Sequence, residues 1–278
     1  MTIYTKVAGT AAALVILWLY VGLVLLGVLH NVALLPVWVV LGSSAVAVVI
    51  LLYLITTAEN WGLRRIRADL LLAATVGGVL AIVLGGTIDA LIQPTSATGA
   101  LDDRALLLSG FIEEACKLAV VFLFLRRRAD RSPLDGFLLG AAVGLGFATF
   151  ENMGYAVTPF IDHQFGVATL LQSAAVQGQR ALFEPFGHPL WSALLGSVIV
   201  VAPHRRHPIL RIALAYVGVA VAHGSWDGAA VLGERVLGSS GLAIANTGVW
   251  LLTIAEVVTL AVVIRARRAD HHRGAKYN

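Results

Sequence analysis

Eight apolar stretches, each about as long as the roughly 20 residues a helix needs to cross a hydrocarbon layer, leave this chain few ways to fold. They run about 8–30, 34–57, 70–93, 105–125, 134–157, 181–202, 209–232 and 244–264. Inside a bilayer every backbone amide and carbonyl must be paired within the protein, so segments of this length fold as helices. The expected fold is therefore all-α, a polytopic membrane protein of about eight transmembrane helices. Hydrophobic residues fill 58% of the 278 positions and charged ones only 13%, which excludes an ordinary soluble domain. The first stretch is too long for a signal-peptide core and no small-residue cleavage site follows it, so it is expected to remain as a helix.

The net charge of +4 is explained by where the charges stand. Lys6, Arg64, Arg65, Arg67, Arg126, Arg127, Arg128, Arg131, Arg205, Arg206, Arg211, Arg265, Arg267, Arg268, Arg273 and Lys276 all fall at alternate ends of the eight stretches. Arg104, Arg180 and Arg235 fall at the other ends, and Lys117 lies within a stretch. By the positive-inside rule both termini are cytoplasmic. These cations orient the chain and meet anionic lipid, so nucleic acid is not an expected partner. The lone cysteine, Cys116, forms no intramolecular disulfide and packs as a small hydrophobe.

The expected organisation is a single membrane domain over 1–264, with a catalytic core at about 105–232 and a basic cytoplasmic tail over 265–278. His271 and His272 belong to that solvated tail. The 94–104 segment, PTSATGALDDR, is rich in turn formers and reads as an outer loop. The longer 158–180 connection holds GVATLLQSAAVQGQR, which is either an amphipathic helix in the outer interface or an ordinary connecting helix.

Within the apolar stretches stand charged groups that are costly at membrane depth and therefore call for a purpose. The fourth holds Glu113, Glu114 and Lys117, the fifth Glu151 and Asn152, the sixth Glu184 and His188, and the seventh His223 and Asp227 at i and i+4. Counted along alternately directed spans, these groups reach a similar depth in the outer half. A shared polar cavity requires that agreement, whereas scattered structural polar groups do not. Structural alternatives stand beside each: an interhelical ion pair for Glu113, Glu114 and Lys117, an intrahelical hydrogen bond for His223 and Asp227, and a helix kink at Gly187, His188 and Pro189. Glu184 reads as an exposed or capping carboxylate, and Asp89 and Glu256, alone in their spans, as structural.

Carboxylates and imidazoles at one level can hydrolyse a peptide bond inside a membrane, since they supply a base for water and a group for the oxyanion. In one version Glu113 or Glu114 joins His188 and His223 around zinc, with a position open for water. In the other no metal is needed, and a glutamate and a neighbouring side chain polarise the water. No HExxH occurs in the chain. Two other classes use similar groups: a proton-coupled transporter, although no inverted repeat of hydropathy is visible, and a non-catalytic scaffold that grips a partner helix through small residues such as those of GAAVGLGFATF.

Taken together, EEACK, FATFEN, GHPLWS and HGSWD resemble the EExxK, FxxxEN, third-motif histidine and HxxxD motifs of the PrsW family of intramembrane proteases, over about residues 105–232. That family is similar to the wider group containing the type II CAAX prenyl proteases and Abi proteins. The resemblance implies Glu113 as general base, Glu114 as its partner, Glu151 as a second water-holding group, and His223 with Asp227 at the oxyanion. His188 and His223 are the histidines that a metal-dependent description would make ligands, with Lys117 and Asn152 in support. Lysine in the first motif and Glu151 where the prenyl proteases carry histidine favour the PrsW branch. The resemblance further implies a multi-pass protein of the bacterial plasma membrane that makes the first cut in a single-pass, anti-sigma-factor-like substrate near its extracytoplasmic side.

Overall fold

The computed structural model describes residues 3–92, 103–128, 131–162, 165–183 and 186–237. The eighth expected span with Glu256, the 265–278 tail, Glu184 and nearly all of the 94–104 loop lie outside them. Every regular element among the described residues is helical. Helix α1 (Ile3–Tyr20) continues as a π-helical stretch to Val28, and α2 covers Leu35–Asn60. The short α3 (Arg67–Leu72) passes through a π-helical turn into α4 (Gly78–Ile92). Then follow α5 (Asp103–Arg126), α6 (Pro133–Asp162), α7 (Val167–Phe183), α8 (His188–Val201) and α9 (Pro208–Leu237).

Six helical stretches are long and apolar enough to cross a membrane: Thr5–Val28, Val32–Asn60, Arg64–Ile92, Pro133–Ile161, Val167–His204 and Pro208–Gly228. Helix α5 has the length of a span at 24 residues, but Glu113, Glu114 and Lys117 sit together in its middle. Seven of the eight expected crossings therefore correspond to described helices. Large apolar side chains such as Ile16, Leu23, Leu91, Ile161 and Leu214 face outward, as expected of surfaces that meet lipid.

Helix α6 is the axis of the fold, with 72% of its most apolar window buried against 11% for the first span. It begins with a capping box. Ser132 Oγ accepts from the Asp135 amide at 3.2 Å, while Asp135 Oδ2 accepts from the Ser132 amide at 2.8 Å. Pro133 then takes the first helical position, where its missing N–H costs nothing.

Glycines at four-residue spacing let α6 lie directly on α8. A Cβ at Gly136, Gly140 or Gly144 would run into the carbonyl oxygens of Gly196, Ser192 and His188, respectively. The pairing is antiparallel and fixes His188 opposite Gly144. Helices α5 and α9 meet in the same way, Gly110 against Gly224.

The sixth crossing departs from the expected continuous helix over 181–202. Helix α7 runs antiparallel along the later half of α6, Ser173 Oγ donating to the Ala156 carbonyl at 2.6 Å and Arg180 reaching Glu151. The chain then breaks, and α8 resumes beside the earlier half of α6. The candidate span Val167–His204 is thus made of two helices, which meet at the level between Gly144 and Glu151. His188 opens α8 instead of standing about seven residues inside a longer helix, because Gly187 and Pro189 stop a helical ladder from passing through. Of the 158–180 connection, the residues up to Asp162 continue α6 and those from Val167 belong to α7, which packs in the bundle. Helix α6 also extends to Asp162, which puts Glu151 eleven residues before its end, deeper than the expected six.

Candidate active site

Five helices bring charged side chains to one place, and glycine contacts set two pairs of them close, α6 on α8 and α5 on α9. On α5, one turn of helix puts Lys117 over both glutamates. Its Nζ lies 2.5 Å from Glu114 Oε1 and 3.9 Å from Glu113 Oε2. It also approaches His188 Nδ1 on α8 at 2.9 Å and stands 4.1 Å above the Phe147 ring of α6. Glu114 and Lys117 are fully buried, whereas the Glu113 side chain is 12% exposed. The two adjacent glutamates therefore differ in kind: one is locked and one is reachable.

Helix α9 supplies His223, whose side chain is fully buried. Its Nδ1 lies 3.0 Å from Glu114 Oε1, and its Nε2 lies 3.1 Å from Asp227 Oδ2 and 3.6 Å from Glu113 Oε2. Both ring nitrogens thus face carboxylate oxygens. The i, i+4 relation predicted for His223 and Asp227 exists as a contact, and His223 also crosses to α5, which an intrahelical bond alone would not require.

The geometry assigns the tautomer of His188. An ammonium can only donate, so Nδ1 accepts from Lys117 and Nε2 carries the proton toward Glu151 Oε2, 3.0 Å away. Glu151 in turn receives Arg180 Nη2 at 2.6 Å. Aromatic rings wall the cluster: His188 lies between Phe147 and Trp191, and the His223 ring is 4.7 Å from that of Trp191. The two histidine rings are themselves 4.7 Å apart. This apolar shell removes solvent screening and strengthens each charge interaction inside it.

Asn152 does not join the cluster. It is buried, but neither amide atom has a hydrogen-bond partner, and it faces α2. One residue along a helix is a turn of about 100°, so its neighbour Glu151 faces the histidines while Asn152 looks away.

Arg180 is the participant that sequence reasoning placed elsewhere, as a cation at an outer helix end. It belongs to a polar stripe, Thr169, Ser173, Gln177 and Arg180, at spacings of four, four and three on α7. The first three of these are buried, while Val167, Leu171 and Leu182 are exposed. The amphipathic pattern is thus turned inside out, polar face inward. Gln177 accepts from Trp18 Nε1 at 3.2 Å, and the Arg180 guanidinium lies 4.0 Å over the Tyr155 ring. The spacing itself was the available signal.

Four carboxylates (Glu113, Glu114, Glu151 and Asp227) share the cluster with two permanent cations, Lys117 and Arg180. The excess of two negative charges suits either protons on the imidazoles or a divalent ion. Glu113, His188 and His223 offer ligand atoms all within 4.8 Å of one another, and a carboxylate with two imidazoles is a donor set of catalytic zinc. A metal would require His188 Nε2 to give up the proton it turns toward Glu151, so the residues present fit a metal in that protonation state and a metal-free arrangement in the other.

A profile described as "PrsW family intramembrane metalloprotease" matches residues 64–263. Among curated proteins, the chain is 29% identical over 126 residues to Protease PrsW of Shouchella clausii (strain KSM-K16), covering 45% of this chain and 53% of that protein. It is likewise 29% identical over 126 residues to Protease PrsW of Bacillus subtilis (strain 168), covering 44% and 52%. The chain thus matches about half the length of these relatives. No solved structure matches.

Proposed function

The chain belongs to the PrsW family of intramembrane metalloproteases, and from that premise we propose that it is an endopeptidase that hydrolyses a peptide bond of a membrane-spanning substrate, with Glu113 as the base. One observation carries the assignment. Glu113 Oε2 is a carboxylate oxygen in a nearly closed apolar site, without a hydrogen bond, 3.6 Å from His223 Nε2. This oxygen is a free acceptor, itself buried, on a side chain that is 12% exposed where that of Glu114 is fully enclosed. Glu114, held by Lys117 and His223, anchors the pair of helices and keeps both partners oriented.

In this reading water gives its proton to Glu113 as its oxygen attacks the scissile carbonyl. The His223 Nε2–H, shared with Asp227 in the resting site, turns to the oxyanion as charge develops there, and Glu114 on Nδ1 keeps the ring oriented. When the C–N bond breaks, Glu113 returns the proton to the departing amine. Glu151 and His188, fixed by Arg180 and Lys117, form the second polar wall on which water and substrate are oriented. A metal ion, if bound, would be held by Glu113, His188 and His223 and would supply a Lewis acid. The convergence of these three donors supports that second reading.

The substrate proposed is a single-pass, anti-sigma-factor-like membrane protein cut near its extracytoplasmic side, by an enzyme crossing the bacterial plasma membrane eight times with both termini in the cytoplasm. Reporter fusions near residues 66, 129 and 206 should read cytoplasmic, and near 98 and 168 outside. Purified protein should cut a co-expressed single-pass substrate, and Glu113→Gln should lower that rate by about 10²- to 10⁴-fold with insertion intact. An unchanged rate would refute the base assignment. Cleavage that survives chelation supports the metal-free reading, and cleavage lost to chelator and restored by zinc establishes the metal one.

A further inference from the structure

One residue on from Glu151 and Arg180, Asn152 and Ala181 turn about 100° away from the cluster. There α2, α6 and α7 line a small half-open pocket of about 20 Å³, with Ser43, Val46, Leu145, Thr149, Asn152 and Ala181 around it. Ser43 is 5% exposed and Asn152 1%. Neither the Ser43 hydroxyl nor either polar atom of the Asn152 amide has a hydrogen-bond partner in the protein. Thr149 donates its hydroxyl to the Leu145 carbonyl at 2.8 Å, which leaves its oxygen able to accept.

Buried polar groups are rarely left unpaired, and three orphaned atoms around one void point to something that pairs with them. A cavity holds a water once about 10–15 Å³ is open to it and two to four polar partners line it. This one meets both conditions. Apolar ligands are disfavoured by the amide, and an ion would find no charged side chain in the lining.

The geometry points to a water-binding site between α2, α6 and α7, with the buried Asn152 and Ser43 side chains as its ligands, that supplies water to the neighbouring cluster. The amide donates through Nδ2 and accepts through Oδ1, so it binds water in either orientation. The Arg180–Glu151 pair lies one residue away on the same two helices, and Glu151 contacts His188 at 3.0 Å. Only the supply role rests on the proteolytic reading. The binding of water does not.

The full-length protein in detergent is therefore irradiated to generate hydroxyl radicals from water, and side-chain oxidation is read by mass spectrometry without substrate. Leu145, buried beside the pocket, should oxidise several-fold faster than the dry-core residues Val121 and Leu139. Asn152→Leu should bring it down to the dry-core level, with Ser43→Ala giving a smaller drop. Wild-type oxidation no faster than in the dry core overturns the water site. Thermal unfolding checks that each variant is folded, and Ser43→Ala provides the test should Asn152→Leu fail to fold.

With a single-pass substrate, Asn152→Leu should then lower kcat by about tenfold at unchanged KM, as expected when a step after binding is affected. Loss of labelling with an unaltered kcat overturns the supply role. Labelling as expected in a protein that cuts no substrate counts against the proteolytic reading and upholds the water site.

Discussion

The arginine-rich end of the bundle and its middle both gather charges from several helices, and they dispose of them in opposite ways. At the end, Asp135 is fully buried and answered by dedicated partners: Arg65 at 3.1 Å, Arg128 at 3.7 Å, and the amide and hydroxyl of Ser132. Arg128 also binds Asp69 and so ties α3 to the start of α6. Cations there equal carboxylates, and both arginines keep contact with solvent. In the middle, four carboxylates compete for Lys117, Arg180 and two imidazoles, and three carboxylate oxygens, one of Glu113 and both of Glu114, are left without a hydrogen bond. One oxygen of Asp135 also lacks a hydrogen bond, but a guanidinium stands 3.7 Å from it, whereas the middle leaves more such acceptors and has fewer cations than carboxylates.

That contrast is sharpened by removing one cation from each region. Lys117→Ala strips the shared counter-ion from two buried glutamates and from His188, so it should cost about 3–5 kcal/mol of stability as well as activity. Chemical or thermal unfolding in detergent measures it, and a loss as small as that of a surface pair would break the comparison. Asp135→Asn, at the arginine-rich end, should cost about 1–3 kcal/mol, because the capping box is weakened and Arg65 and Arg128 lose a partner that solvent partly replaces. Cleavage per folded molecule should stay unchanged. If that variant instead lost specific activity, the two regions would be coupled and not separate.

The smallest effect sets the baseline. Arg67 and Glu59 pair at 2.8 Å, but the arginine is 57% exposed. Arg67→Ala should change stability by under about 1 kcal/mol in the same unfolding assay, and addition of salt should shrink the difference further.

How far the molecule could be read from its sequence follows the same division. Apolar length located seven described helices, because membrane crossing constrains composition so strongly. The pairings Glu113 with Lys117 and His223 with Asp227 were legible since residues four apart must share a helix face. Arg180 was not, because counting cations by membrane side treats each as a topological marker and ignores which way its helix face turns. The break between α7 and α8 was signalled by Gly187 and Pro189, but the apolar run across 181–202 concealed it. Asn152 misled for a simpler reason: adjacency to Glu151 in sequence is divergence in space on a helix.

The inverted face of α7 also bears on how the protein is made. A helix whose exposed side is Val167, Leu171 and Leu182 while its polar stripe looks inward is poorly suited to rest in a bilayer alone, since Ser173, Gln177 and Arg180 would meet hydrocarbon. Its receivers are Trp18 on α1 and Glu151, Tyr155 and Ala156 on α6. All of them precede it in the chain. As synthesis proceeds from the N-terminus, each polar group of α7 thus emerges after its partner is in place. The order of translation hands this helix a finished berth, and a chain permuted to begin at α7 would have to wait for one.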